Sequence, residues 1–97
     1  VLYAPLLPDL SAIKSVLAEI DRPLNVLGPF VPNATVADLA AIGVRRISIG
    51  SAFANAAWGA LVAAAEELQN SGTYGWMSGM IPGQVRSELL AQGTPSD

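Results

Sequence analysis

Three times in its first 72 residues the chain repeats one pattern: a short strand-like run, a Pro or Gly break, a capping residue, then apolar residues at helical spacing. Val1 to Ala4 is uncharged and ends at Pro5. Pro8 and Asp9 then signal a helix start with Asp9 as N-cap, and Leu10, Ile13, Val16, Leu17 and Ile20 recur on one face. Asp21-Arg22-Pro23 breaks this helix, and Leu24-Asn25-Val26-Leu27 reads as a second strand closed by Gly28-Pro29. After a loop to Asn33, Thr35 and Asp38 have the spacing of a capping box, with Asp in place of the usual Glu, and a short helix over Val36 to Ile42 follows. Gly43 stands where a left-handed C-cap belongs, Val44 to Ile49 is the third strand, and Gly50-Ser51 opens a long Ala-rich helix from Ala52 to Gln69. Its expected buried stripe is Phe53, Ala57, Ala60, Leu61, Ala64 and Leu68, with Glu66 and Glu67 on the wet face.

Strand alternating with helix across short connections predicts an α/β fold with parallel strands and right-handed crossovers. Residues 1–72 are read as three β/α units. Residues 73–97 are read as an aromatic, Gly-rich segment, a short helix from Pro82 to about Ala91, and a loose tail over Thr94 to Asp97. Three units close no barrel, since a (β/α)8 barrel takes about 250 residues, and an open sheet covered on both faces usually needs more strands. The sequence opens on Val1-Leu2-Tyr3-Ala4, without Met, cap or turn signal, so the expectation is a C-terminal piece of a longer α/β chain. The competing expectation is a free-standing, non-catalytic α/β interaction module with both outer strand edges bare.

Composition narrows the chemistry. Hydrophobic residues make up 52% of the 97 and charged ones 13%, too apolar for a disordered segment. There is no Cys and no His, which excludes disulfides, thiolate nucleophiles and Cys-based metal sites and removes the commonest general base. Carboxylates, hydroxyls, amides and backbone remain. No apolar run approaches the roughly 20 residues that cross a bilayer, so a cytoplasmic protein is expected. The net charge is −3, and Arg45-Arg46 is the lone adjacent basic pair, so no electrostatic footprint for nucleic acid or an anionic membrane is present.

In parallel α/β architectures, function gathers at the carboxyl ends of strands: here Pro5 to Pro8, Leu27 to Asn33 and Gly50 to Ala52. Gly50-Ser51 can offer free backbone N–H groups and a hydroxyl to an anion, or Ser51 can simply cap its helix. Asn25 lies in an apolar strand and must find partners, either substrate or neighbouring backbone. Gly28 can admit a ligand close to the backbone or serve as a turn glycine. Ser48 reads as structural, and Arg45-Arg46 lies at the amino end, away from the chemistry. Trp76, Met77, Met80 and Ile81 need a covering surface, from this domain or a second subunit. No phosphate loop, nucleotide fingerprint, triad or metal-ligand cluster is present, so no residue is assigned as catalytic or as a metal ligand.

The run VLYAPLLPDLSAIKSVLAEIDRPLNVL, followed by TVADLAAIGVRRISIGSAFANAAWGALVAAAEEL, resembles the last third of isocitrate lyase/phosphoenolpyruvate mutase family proteins over roughly residues 1 to 75. The resemblance implies strands 6 to 8 of a (β/α)8 TIM barrel, with their helices and a C-terminal tail helix. It also implies a Mg²⁺-dependent parent, a lyase or phosphonomutase acting on small keto or hydroxy carboxylic acids through an enolate-like species. In the family the Mg²⁺ ligands and the loop with the catalytic Cys lie on earlier strands, outside these residues, so this piece is expected to be inactive alone. Methylisocitrate lyase-like members end strand 6 in an acid and strand 7 in an Asn-x-Thr type motif. Here the first is Pro5, and Asn25 lies nearer the proline that opens its strand. Asn25, Gly28 and Ser51 remain the candidates to line the substrate-carboxylate end of the pocket. The family exchanges helix 8 between subunits, which implies homo-oligomer contacts through Ala52 to Gln69 and Trp76 to Ile81.

Overall fold

The computed structural model describes residues 1–93, so the tail expected over residues 94–97 lies outside the described residues. The elements in chain order are β1 (Leu2–Ala4), α1 (Leu10–Glu19), β2 (Leu24–Leu27), a 3₁₀ turn (Gly28–Phe30), α2 (Val36–Ala41), β3 (Arg46–Ser48), α3 (Ala52–Ser71), a second 3₁₀ turn (Gly75–Gly79) and α4 (Gly83–Gln92). The chain forms two compact units, the first ending at Ala56 and the second beginning at Ala57, a boundary inside α3.

In the first unit the three strands form one parallel sheet in the order β1-β2-β3. The register pairs Leu2 with Leu24, Tyr3 with Asn25 and Ala4 with Val26. On the other side Asn25 pairs with Arg46, Val26 with Ile47 and Leu27 with Ser48. Paired residues in a parallel sheet share a face. Ala4, Leu24, Val26 and Ile47 therefore form one face, and all four belong to the core together with Ile13 of α1 and Leu39 of α2. Val31 and Val44 complete its buried set. Both helices thus cover the same side of the sheet. Tyr3, Asn25, Leu27, Arg46 and Ser48 share the other side.

Local signals explain why each element starts where it does. The Asp9 carboxylate accepts the Ala12 N–H at 2.8 Å, capping α1. At α2 the Thr35 hydroxyl accepts the Asp38 N–H at 3.1 Å while Asp38 accepts the Thr35 N–H at 2.8 Å, a complete capping box. Gly43 ends α2 with φ of 101°, a conformation that side chains rarely adopt.

Two expectations need correction here. The third strand spans three residues rather than Val44 to Ile49, because its partner β2 offers only four residues and Val44 turns into the core instead. The long helix buries none of its expected stripe: Phe53 is 75% exposed, Leu61 58% and Leu68 46%. Ala64 alone of that stripe is half-buried, because no other surface among the described residues covers the rest.

In the second unit, Glu67 does more than face solvent. Its carboxylate accepts the Thr73 hydroxyl at 2.6 Å, the Gly75 N–H at 2.7 Å and the Trp76 N–H at 3.2 Å. These bonds hold its pKa below the ordinary value, the Thr73 hydroxyl contributing most and the Gly75 N–H next. The chain leaving α3 folds back onto the helix's own last turns through this one side chain. Trp76 is half-buried, with its ring 6.5 Å from that of Tyr74.

Candidate functional site

The carboxyl ends of the three parallel strands lie along one edge of the sheet, and each runs into a tight connection. β1 ends in Pro5-Leu6, β2 in the turn starting at Gly28, and β3 in Ile49-Gly50-Ser51. The three candidate residues occupy different depths relative to that edge.

Asn25 is the deepest. It lies on the sheet face opposite the helices, is 3% exposed, and donates from Nδ2 to Ser48 Oγ at 2.9 Å. The Ser48 hydroxyl in turn donates to the Val26 carbonyl over a long 3.5 Å. Asn25 Oδ1 is buried and accepts no hydrogen bond. An orphaned buried acceptor is costly, so this face holds one polar group ready for a donor. Ser48 thus proves to be the residue that orients Asn25, a role the sequence reading did not give it. The sequence marks Ser48 only as a polar residue within a strand, and the pairing with Asn25 appears only with the register between β2 and β3.

Gly28 begins the turn directly after β2. A Cβ there would lie 2.6 Å from Ile47 Cγ2, closer than atoms pack, so close approach of β3 accounts for the glycine. Ser51 sits beyond the edge, exposed, between β3 and α3. Its carbonyl accepts the Asn55 N–H at 2.9 Å and its hydroxyl accepts the Asn55 side-chain amide at 3.2 Å. Asn25 and Ser51 are not joined by any hydrogen bond among the described residues. Arg45 and Arg46 are exposed at the opposite, amino end of the sheet.

A separate apolar cleft of about 480 Å³ opens beside Gly28, Pro29, Ala34, Val36, Leu39, Ile47, Ile49, Ala52 and Phe53. Leu39 and Ile47 place it on the helix-covered side of the sheet, away from Asn25 and Ser48. Its lining has no charged side chain to orient a small carboxylate, so its chemistry suits an apolar cover rather than a polar substrate. Among the described residues no group of three or more His, Cys, Asp or Glu side chains is placed to hold a metal ion. No helix of the described residues is long and apolar enough to cross a membrane.

Comparison with known proteins agrees with this geometry. The family model for phosphoenolpyruvate phosphomutase matches residues 1–69, which include all three strands and most of α3. The fold is similar to the crystal structure of a Burkholderia cenocepacia J2315 protein assigned as a lyase/mutase, with a TM-score of 0.80 and 36% identity over 92% of this chain. The chain spans 32% of that protein's length. No curated protein matches it. On the family match over most of its length and this structural likeness, the chain belongs to the isocitrate lyase/phosphoenolpyruvate mutase family, as part of a lyase/mutase fold.

Proposed function

We propose that the chain is the C-terminal part of a lyase/mutase-type enzyme that acts on small keto or hydroxy carboxylic acids through an enolate-like intermediate. In this reading β1, β2 and β3 are strands 6 to 8 of a (β/α)8 barrel. The sheet face carrying Tyr3, Asn25 and Ser48 is then turned to the barrel interior, and Asn25, Gly28 and Ser51 form one wall of the substrate pocket. Mg²⁺ belongs to the parent enzyme and is held by residues outside this stretch, and the parent works in the cytoplasm. The observation that carries the reading is the buried, unpartnered Asn25 Oδ1, on a residue of the sheet face opposite α1 and α2.

The same reading makes α3 and the segment from Trp76 to Ile81 a homo-oligomer interface. It is supported by the absence of any buried residue in α3 and by the exposure of Trp58, Leu61 and Met80. The exposed apolar helix also favours a second reading, a non-catalytic module that assembles through α3. The full-length protein and the 97-residue piece, assayed with Mg²⁺ against C3 to C6 keto and hydroxy acids, separate the two. Turnover is expected from the former alone. A full-length protein that assembles without turning over any of these acids supports the module, and turnover by the isolated piece overturns the reading of it as one pocket wall.

A further inference from the structure

Leu6 combines two unfavourable features at the edge where the chemistry is placed. Its φ is 58°, in the left-handed region that a bulky residue rarely enters, and its side chain is 70% exposed. The local packing explains the backbone. Ala4 and Leu7 both pack against the core, and the chain between them must turn sharply to return Leu7 to the helix-covered side before Asp9 caps α1. Glycine would make that turn without strain, and Asn would make it with little. The other non-glycine residue at positive φ among the described residues, Asn33, follows this rule. Leu6 breaks it and stays 70% exposed among the described residues.

The position of Leu6 gives the cost a use. It lies two residues beyond Ala4, at the carboxyl end of β1, on the same edge as the turn after β2 and the Gly50-Ser51 corner after β3. The connections at this edge, 5–8, 28–33 and 50–51, contain no Lys or Arg. The edge therefore has an apolar side chain held out from the core and no cation to pair with a carboxylate.

We propose that Leu6 is a specificity-determining residue, an exposed apolar wall at the carboxyl edge of the sheet that receives the alkyl portion of a 2-keto or 2-hydroxy acid. The inference rests on the keto-acid reading above and adds which part of the substrate faces β1.

The test uses the full-length enzyme and its Leu6→Gly and Leu6→Asn variants, titrated calorimetrically with pyruvate, 2-oxobutyrate and 2-oxovalerate. The wild type is expected to bind the longer acids more tightly, by up to about fourfold for each methylene. Both variants are expected to lose that preference. Leu6→Gly relieves the backbone, so its melting temperature is expected to hold or rise, which separates altered selectivity from misfolding. Equal chain-length preference in wild type and variants overturns the role of Leu6 while leaving the keto-acid reading intact. Failure of the wild type to bind any of the three acids overturns that reading, and the role of Leu6 with it.

Discussion

The Asn25 side-chain amide donates to the Ser48 hydroxyl at 2.9 Å, joining β2 to β3 through side chains 23 positions apart in sequence. The bond fixes the orientation of the amide and leaves Oδ1 as a buried acceptor. Removing one partner of such a pair differs from removing the buried polar group itself. Ser48→Ala strands the Nδ2 donor beside an already unpaired Oδ1 and is expected to cost about 1–3 kcal/mol. Asn25→Leu removes both polar atoms at similar volume, and Ser48 keeps its own bond to Val26. It is expected to cost less than Ser48→Ala in urea unfolding of the full-length protein. If Asn25 also meets substrate, as proposed, KM for the keto acid rises in Asn25→Leu while the unfolding midpoint holds.

Gly28 and Ile47 make a second pair whose coupling can be measured. Gly28→Ala places a Cβ 2.6 Å from Ile47 Cγ2, and Ile47 packs against the core, so the methyl has little room to retreat. A cost of about 1–3 kcal/mol is expected, the usual range for overpacking. Ile47→Leu removes the β-branch that supplies the offending methyl. In that background Gly28→Ala is expected to cost less by about 0.5 kcal/mol or more, within the range that double-mutant cycles resolve between contacting residues. Equal costs in the two backgrounds would place the glycine's role in ligand approach rather than in packing.

Thr35 makes a third prediction, because its hydroxyl serves both sides of the capping box. It accepts the Asp38 N–H and donates to Asp38 Oδ2 at 2.6 Å. The hydroxyl and the Thr35 N–H together hold the Asp38 pKa below its usual value. Thr35→Ala removes the cap and is expected to cost about 1 kcal/mol, with Thr35→Ser recovering most of it. Hydrogen exchange of the first α2 amides, beginning with Asp38 N–H, reports the change locally.

The capping box was legible in the sequence because its chemistry is local: Thr35 and Asp38 are three residues apart, and a helix either starts there or does not. The Asp9 cap, the breaks at Pro23 and Gly43 and the parallel α/β order were legible for the same reason. The candidate site was legible only in part. Asn25 could be singled out as an amide in an apolar strand, yet its partner Ser48 depends on the register between β2 and β3, which no local spacing encodes. The buried stripe expected along α3 failed for a related reason. Helical periodicity says which residues share a face, but whether Phe53 and Leu61 are covered depends on a second surface, and both stay mostly exposed among the described residues. Leu6 gave no sequence signal, because leucine is a poor indicator of a left-handed turn.

Glu67 extends the same lesson to the second unit, where one carboxylate gathers three donors that lie six, eight and nine residues later. The sign of its pH dependence follows from its lowered pKa. The folded state favours the carboxylate more than the unfolded chain does, so the stabilisation is fully present above the ordinary glutamate value of 4.5. It is lost as pH falls through the lowered folded value. Acid is therefore expected to release the Gly75–Gly79 turn in a step below pH 4.5 that is absent in Glu67→Gln. Trp76 reports the event, since its backbone N–H is one of the three donors and its ring is half-buried. A Trp58→Phe background isolates its fluorescence. A Trp76 transition of the same midpoint with and without the Glu67→Gln substitution would assign the acid step to another carboxylate.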